Sequence, residues 1–172
     1  MPTNVEIKAV VRDVAHLRAR AELLSGTPGQ EIPQEDAFFR VPQGRLKLRE
    51  LSPEQGELIY YEREDARDPK PSRYLIARTR EPAALRAVLA AALGLRGVVR
   101  KRRVLYRIGQ TRLHLDQVEG LGSFLELEVV LARDQDTALG TAIAVELMEQ
   151  LGIARSDLVP CAYIDLLEQQ SG

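Results

Sequence analysis

The chain has 172 residues, with 24 Lys and Arg against 25 Asp and Glu, a formal charge of −1 and one cysteine. That length suits one core, so a single domain over residues 1–172 is expected, and near-neutrality argues against a generic nucleic-acid or anionic-membrane binder; any positive field must be local. Cys161 alone can build neither an internal disulfide nor a thiolate metal site, no apolar run reaches membrane-spanning length, and the start, MPTNVEIKAVV, carries charges where a signal peptide needs an apolar stretch, so a reducing, cytoplasmic setting is expected.

Residues 4–11 alternate as a strand does, with Val5, Ile7 and Ala9 on one face and Asn4, Glu6 and Lys8 on the other. Asp13 can cap a helix whose Val14, Leu17, Ala21 and Leu24 recur at helical spacing until Gly26 and Pro28 end it. A second strand is expected over residues 35–41, turning at Pro42 and Gly44 into residues 45–49, where Arg45, Lys47 and Arg49 share one face. Residues 57–63 form the next strand, and the adjacent Tyr60 and Tyr61 must face opposite ways. Residues 64–72, EDARDPKPS, read as a flexible surface loop that borders a binding site and could close over a ligand; residues 73–79 return to strand. Pro82 opens a helix with Leu85, Val88, Leu89, Ala92 and Leu93 as its buried stripe and Gly94 as its cap. Residues 98–108 are the most basic segment, a long strand with Lys101, Arg103 and Arg107 on one side.

The stretch 112–130 carries the most chemistry. Arg112, His114 and Asp116 oppose Leu113 and Leu115, Gly120 and Gly122 mark a turn, and Phe124, Glu126 and Glu128 oppose Leu125, Leu127 and Val129. Two carboxylates two strand positions apart lie about 7 Å apart at their α-carbons, so both can lean on one cation. An antiparallel sheet with one wet face produces the same alternation, so the hairpin alone leaves both readings open. After it, Asp134 or Asp136 caps a helix with Leu139, Ile143, Leu147 and Leu151 on its stripe, ending at Gly152, and a short last helix holds Tyr163, Ile164, Leu166 and Leu167.

In each strand the face opposite the charges is aliphatic, and helices pack their stripes on apolar sheet faces, so the charged faces look away from the helices. The short strand-to-strand links make the connections antiparallel. The expected fold is α+β: an eight-stranded antiparallel β-barrel or tunnel with a polar lumen and the helices packed outside. Cations gathered in a lumen need an anionic ligand or counter-charges. Carboxylates at one part and cations at another suit a metal–polyphosphate complex.

Asn4-Val5-Glu6-Ile7-Lys8 resembles the Glu-x-Glu-x-Lys signature of the CYTH superfamily, which contains class IV adenylate cyclases and thiamine and inorganic triphosphatases. The resemblance continues through Leu46-Lys47-Leu48-Arg49, Lys101-x-Arg103-x-x-Tyr106, the run from His114-Leu115-Asp116 through Gly120-Leu121-Gly122 to Glu126-x-Glu128, and Tyr163-x-Asp165-Leu166-Leu167. It implies a tunnel that binds a triphosphate with Mg²⁺ or Mn²⁺. Carried over by position, Glu6, Glu126 and Glu128 resemble metal ligands, with Asp116 beside them. Lys47, Arg49, Lys101 and Arg103, with Arg45 on the same row, resemble triphosphate contacts, and Lys8 resembles the catalytic lysine near the reacting phosphate. Asn4 stands where the signature has its first glutamate, which takes one negative charge out of the metal set.

The resemblance leaves three readings open: a cyclase converting ATP to cyclic AMP and pyrophosphate, a hydrolase of tripolyphosphate or thiamine triphosphate, and a non-catalytic polyphosphate or nucleotide sensor. The Asn-Val-Glu-Ile-Lys start and the ELIYYER strand lean toward the cyclase-like branch. The expected partner is a triphosphate small molecule, with no nucleic acid and no membrane, and a homodimer is left open.

Overall fold

Tight turns decide which strands meet. In the computed structural model, which describes residues 1–172, the chain runs β1 (Thr3–Val10), α1 (Val14–Ser25), β2 (Gln30–Phe39), β3 (Arg45–Ser52), β4 (Gln55–Arg63), β5 (Lys70–Thr79), α2 (Pro82–Leu93), β6 (Leu95–Ile108), β7 (Thr111–Val118), β8 (Gly122–Val130), α3 (Thr137–Leu151), a 3₁₀ turn (Arg155–Asp157) and α4 (Tyr163–Ser171). Short links make β2 to β5 one meander and β6 to β8 another. β2 then pairs β6, and β1 slots between β5 and β8, so the barrel closes in the order β1-β5-β4-β3-β2-β6-β7-β8. Every pair is antiparallel. Closure removes the unpaired edges an open sheet would expose.

Aliphatic residues turn outward and meet the helices. α1 and α3 cover Ile7, Tyr106, Leu113, Leu125 and Leu127 with Leu17, Ala21, Leu147, Met148 and Leu151. α2 sets Leu85, Leu89 and Ala90 on Ala37, Phe39 and Leu48. α3 comes closest at Gly140, where an added Cβ would lie 2.5 Å from Val5 Cγ2. Of the expected stripe Ile143, Leu147 and Leu151 pack on the core, joined by Gly140 and Ala144, while Leu139 is 42% exposed. On α2 likewise Val88 is 62% exposed, because Leu85, Leu89 and Ala90 already fill the contact. Asp136, not Asp134, caps α3, accepting from Leu139 N at 2.9 Å. No helix is long and apolar enough to cross a membrane.

Three strands begin earlier than their local sequence implies. β2 runs back through Pro33, tolerated because residues 30–34 pair only with β6, so that side of the chain needs no N–H. β6 starts at Leu95; Gly97 lies opposite Ile164 of α4, whose Cδ1 would be 2.6 Å from a Cβ there. β5 starts at Lys70, and Lys70 and Ser72 are buried. The expected loop of residues 64–72 thus shrinks, and it is pinned: Asp65 takes Arg45 at 2.9 Å and Asp68 takes Arg155 at 2.7 Å.

Candidate functional site in the barrel lumen

Period-two alternation, bent into a barrel, turns one face of every strand inward. The resulting cavity has a volume of about 330 Å³ and is lined by residues of all eight strands together with Ala162 and Tyr163. Nine Lys and Arg side chains line it against five carboxylates, so it carries a net positive field. Its two ends differ. At one, α4 seals the lumen, with Tyr163 and Ile164 packed among Phe38, Ile59, Tyr61, Val99 and Phe124. Toward the other, exposure rises through Ile76, Arg78 and Arg107.

Asp165 seats the seal. It accepts from Ala162 N at 3.0 Å at the start of α4, from Arg45 at 2.9 Å and from Arg96 at 2.6 Å. Arg45, expected with the phosphate contacts, therefore spends its guanidinium on Asp65 and Asp165 beside α4 and is not among the cavity-lining residues. Just inside the seal, Lys8 Nζ donates to Cys161 O at 3.0 Å, pairs with Glu126 Oε1 at 3.3 Å and sits 3.8 Å from the centre of the Tyr163 ring. Burial, together with Arg63 and Lys101, pushes Lys8 below the ordinary lysine value against the pull of Glu126.

On the wall formed by β2, β3 and β6, Asp36 gathers the cations. It accepts Arg49 Nε and Nη2 at 2.9 and 3.0 Å, Lys47 Nζ at 3.1 Å and Lys101 Nζ at 3.4 Å. Burial alone would raise its carboxyl, but Arg49, Lys47 and Lys101 reverse that and hold it well below the usual range. The same burial, with Arg49 and Lys101 alongside, pushes Lys47 down to about 7 despite Asp36. The sequence reading passed over Asp36. Asp36 lies inside the expected strand of residues 35–41, and parity with Phe38 places it on the lumen face.

The opposite wall, from β1, β7 and β8, is acidic. Glu6 sits opposite Glu128 and Lys8 opposite Glu126, while His114 faces Glu126 across the hairpin. Arg103 binds Asp116 through two hydrogen bonds of 2.7 and 2.6 Å and reaches Glu126 at 2.9 Å. Tyr163 OH donates to Asp116 at 2.8 Å, so Asp116 is taken up by Arg103 and Tyr163 and stands outside the cluster of His114, Glu126 and Glu128, although Glu126 also carries Lys8 and Arg103, and Glu128 carries Arg112. Burial and the nearby Glu128 push Glu6 up, against Arg63. Burial would raise Glu126 too, but Lys8 and Arg103 help to hold it well below the usual range.

Asn4 Oδ1, Gln34 Oε1, Arg63 Nε and Nη2 and His114 Nδ1 are buried in the lumen lining without a hydrogen-bond partner, and the last two residues bear most on a ligand. Arg63 uses one nitrogen on Glu6 at 3.1 Å, while its Nε and Nη2 are buried without a protein acceptor, two donors open to an anion or to water. Its parity with Tyr61 on β4 was the signal that sequence reading could have used. His114 Nδ1 is buried without a partner, and ligand atoms of His114, Glu126 and Glu128 all lie within 4.8 Å of one another. Burial and Arg103 push His114 below its ordinary value, which keeps the ring neutral, the form that ligates metal. Converging carboxylates with an uncommitted donor fit a divalent cation.

The CYTH domain family model matches residues 2–163. Among solved structures, the PH1012 protein of Pyrococcus horikoshii superposes with a TM-score of 0.82 at 26% identity, covering 95% of this chain and 98% of its own. The PH1819 protein of the same organism gives 0.78 at 18%, over 97% and 99%. A candidate adenylate cyclase of Vibrio parahaemolyticus gives 0.74 at 19%, over 96% and 97%, a likeness of fold. No curated protein matches the chain.

Proposed function

The chain belongs to the CYTH domain family, and from that premise we propose that it is a divalent-metal-dependent enzyme acting on a triphosphate held in the barrel lumen, with ATP cyclisation as its reaction. One observation carries the reading: a single cavity holds both buried Arg63 donors without an acceptor and a buried His114 nitrogen without a donor or an ion. A polyphosphate chain with its cation satisfies both at once.

In this reading Lys47, Arg49, Lys101, Arg103 and Arg63 take phosphate oxygens. Arg45 is left out, because it does not line the lumen and reaches Asp65 and Asp165 beside α4. Glu6, Glu126 and Glu128 hold the metal. A bound Mg²⁺ or Mn²⁺ supplies charge neutralisation and polarises phosphoryl oxygens. The chain's own part is to line up cations already fixed by Asp36, where charge builds as pyrophosphate leaves. Ile32, Tyr74, Ile76 and Leu105 on the lumen lining offer apolar surface to the organic end of the substrate.

Hydrolysis is the second reading, favoured by Lys8. Its Nζ, held at the sealed end by Cys161 O and Glu126, is placed to donate to a terminal phosphate seated there as water attacks it. The test is to incubate the protein separately with ATP and with tripolyphosphate, each with Mg²⁺ or Mn²⁺ and with chelator. Metal-dependent cyclic AMP and pyrophosphate from ATP support cyclisation, and orthophosphate moves the assignment to a hydrolase. Tight binding without turnover ends the enzymatic reading in favour of a sensor.

A further inference from the structure

We propose that His114 is a nitrogen ligand of the metal centre, together with Glu126 and Glu128, and that it makes this centre select Mn²⁺ over Mg²⁺. The inference rests on the metal-dependent reading above and deepens it.

The ring is 5% exposed, and its Nδ1 meets no hydrogen-bond partner. A polar atom shut away from water without a partner is rare in a folded protein and calls for an explanation. The hairpin register sets His114 directly opposite Glu126, with Glu128 one step along the same face. Nδ1 lies 3.8 Å from Glu126 Oε2 and 3.9 Å from Glu128 Oε1. Both separations are too long for a hydrogen bond. They are short enough for one ion, because two donors each about 2.1 Å from a common centre can be at most about 4.2 Å apart. Arg112 occupies the other oxygen of Glu128 at 2.9 Å and so turns Oε1 toward the ring.

Selectivity follows from the donor set. Mg²⁺ demands hard oxygen ligands in near-ideal octahedral geometry and gains little from imidazole, whereas first-row transition ions take imidazole readily. Of these, Mn²⁺ shares with Mg²⁺ the preference for carboxylate and water ligands in octahedral geometry, so the two compete for the same site. A ring that merely spaces two carboxylates, or that binds a trapped water, would leave the ion ligated by oxygen alone.

The test uses the full chain with Mn²⁺ as probe. Pulsed EPR on Mn²⁺-loaded protein, unlabelled and labelled with [¹⁵N]histidine, is expected to show coupling to a directly bound nitrogen that changes with the label. Free-Mn²⁺ EPR titration with Mg²⁺ competition is expected to give at least about tenfold tighter binding of Mn²⁺, and His114→Gln to weaken Mn²⁺ about tenfold while moving Mg²⁺ less than about twofold. Mn²⁺ bound without nitrogen coupling overturns the proposal while leaving the metal-dependent reading standing; so does a variant with an unchanged Mn²⁺ to Mg²⁺ ratio. A wild-type protein that binds no Mn²⁺ at all overturns both. The coupling is read on the unmutated chain, so poor folding of the variant leaves the proposal exposed to refutation.

Discussion

The two walls of the lumen solve the problem of buried charge in opposite ways. On the β2, β3 and β6 wall one carboxylate, Asp36, holds three cations within 3.4 Å. On the β1, β7 and β8 wall the cations are spread over several carboxylates, Arg63 on Glu6, Lys8 and Arg103 on Glu126 and Arg112 on Glu128, while Glu6 still faces Glu128 and His114 Nδ1 is left bare. The first wall carries its counter-ion with it and keeps its shape unaided. The second holds His114, Glu126 and Glu128 within 4.8 Å of one another with one ring nitrogen unspent. In the proposed reading, such a division would let the phosphate-facing groups stand aligned before substrate binds, with the acidic groups left to take the metal.

The largest effect should come from neutralising the acidic wall. Glu126→Gln with Glu128→Gln is expected to cut metal-dependent turnover about 10⁴-fold, or about 5.5 kcal/mol, while circular dichroism stays that of the wild type. Activity near wild type would erase the functional distinction between the walls. The basic wall should answer in stability instead. Asp36→Asn leaves three buried cations without their anion, an expected cost of about 3–5 kcal/mol in urea unfolding. Because the folded carboxyl of Asp36 lies well below its ordinary value, its stabilisation is present above that ordinary value and lost as pH falls through the folded one. The variant should therefore unfold with a flatter dependence on acid pH, and an unchanged acid limb would mean that Asp36 is not what organises the wall.

A smaller effect sharpens the same contrast. Lys47 is pushed down to about 7, so the free protein carries it neutral above that pH, and a bound phosphate chain should recharge it. Tripolyphosphate binding near pH 8 should then take up about one proton, seen by calorimetry in buffers of different ionisation enthalpy, and should weaken about tenfold between pH 7 and 8.5. Binding without proton uptake would move Lys47 away from the phosphate. The smallest effect belongs to the contact between acidic wall and seal: Tyr163→Phe removes the donor to Asp116 and should cost about 1 kcal/mol in thermal unfolding. A variant as stable as wild type would show that packing against Phe124, and not this hydrogen bond, seats α4.

Much of this was readable in advance. Glu6, Lys8, Lys47, Arg49, Lys101, Arg103, Glu126 and Glu128 each sit on the charged face that alternation predicts, and all line one cavity. Arg45 obeys the same alternation, yet it lies at the rim by α4, because face is periodic along a strand while height along the barrel axis depends on stagger between strands. Residues 64–72 misled for a different reason. Two prolines and a run of charges look like solvent-exposed loop, but Lys70 reaches Ala66 O and is buried opposite Glu6 once β1 joins β5.

Read alone, the chain determined its elements and their two faces, since a side chain's side of a strand depends only on its parity and neighbours a few residues away. Which charges meet was settled by closure. Tyr163 reaches Asp116 across 47 residues and Arg45 reaches Asp165 across 120, distances over which local pattern carries no information. The bare nitrogen of His114 and the spare donors of Arg63 belong to that second class. A polar atom is unsatisfied only with respect to everything packed around it, and that surrounding exists only in the folded barrel.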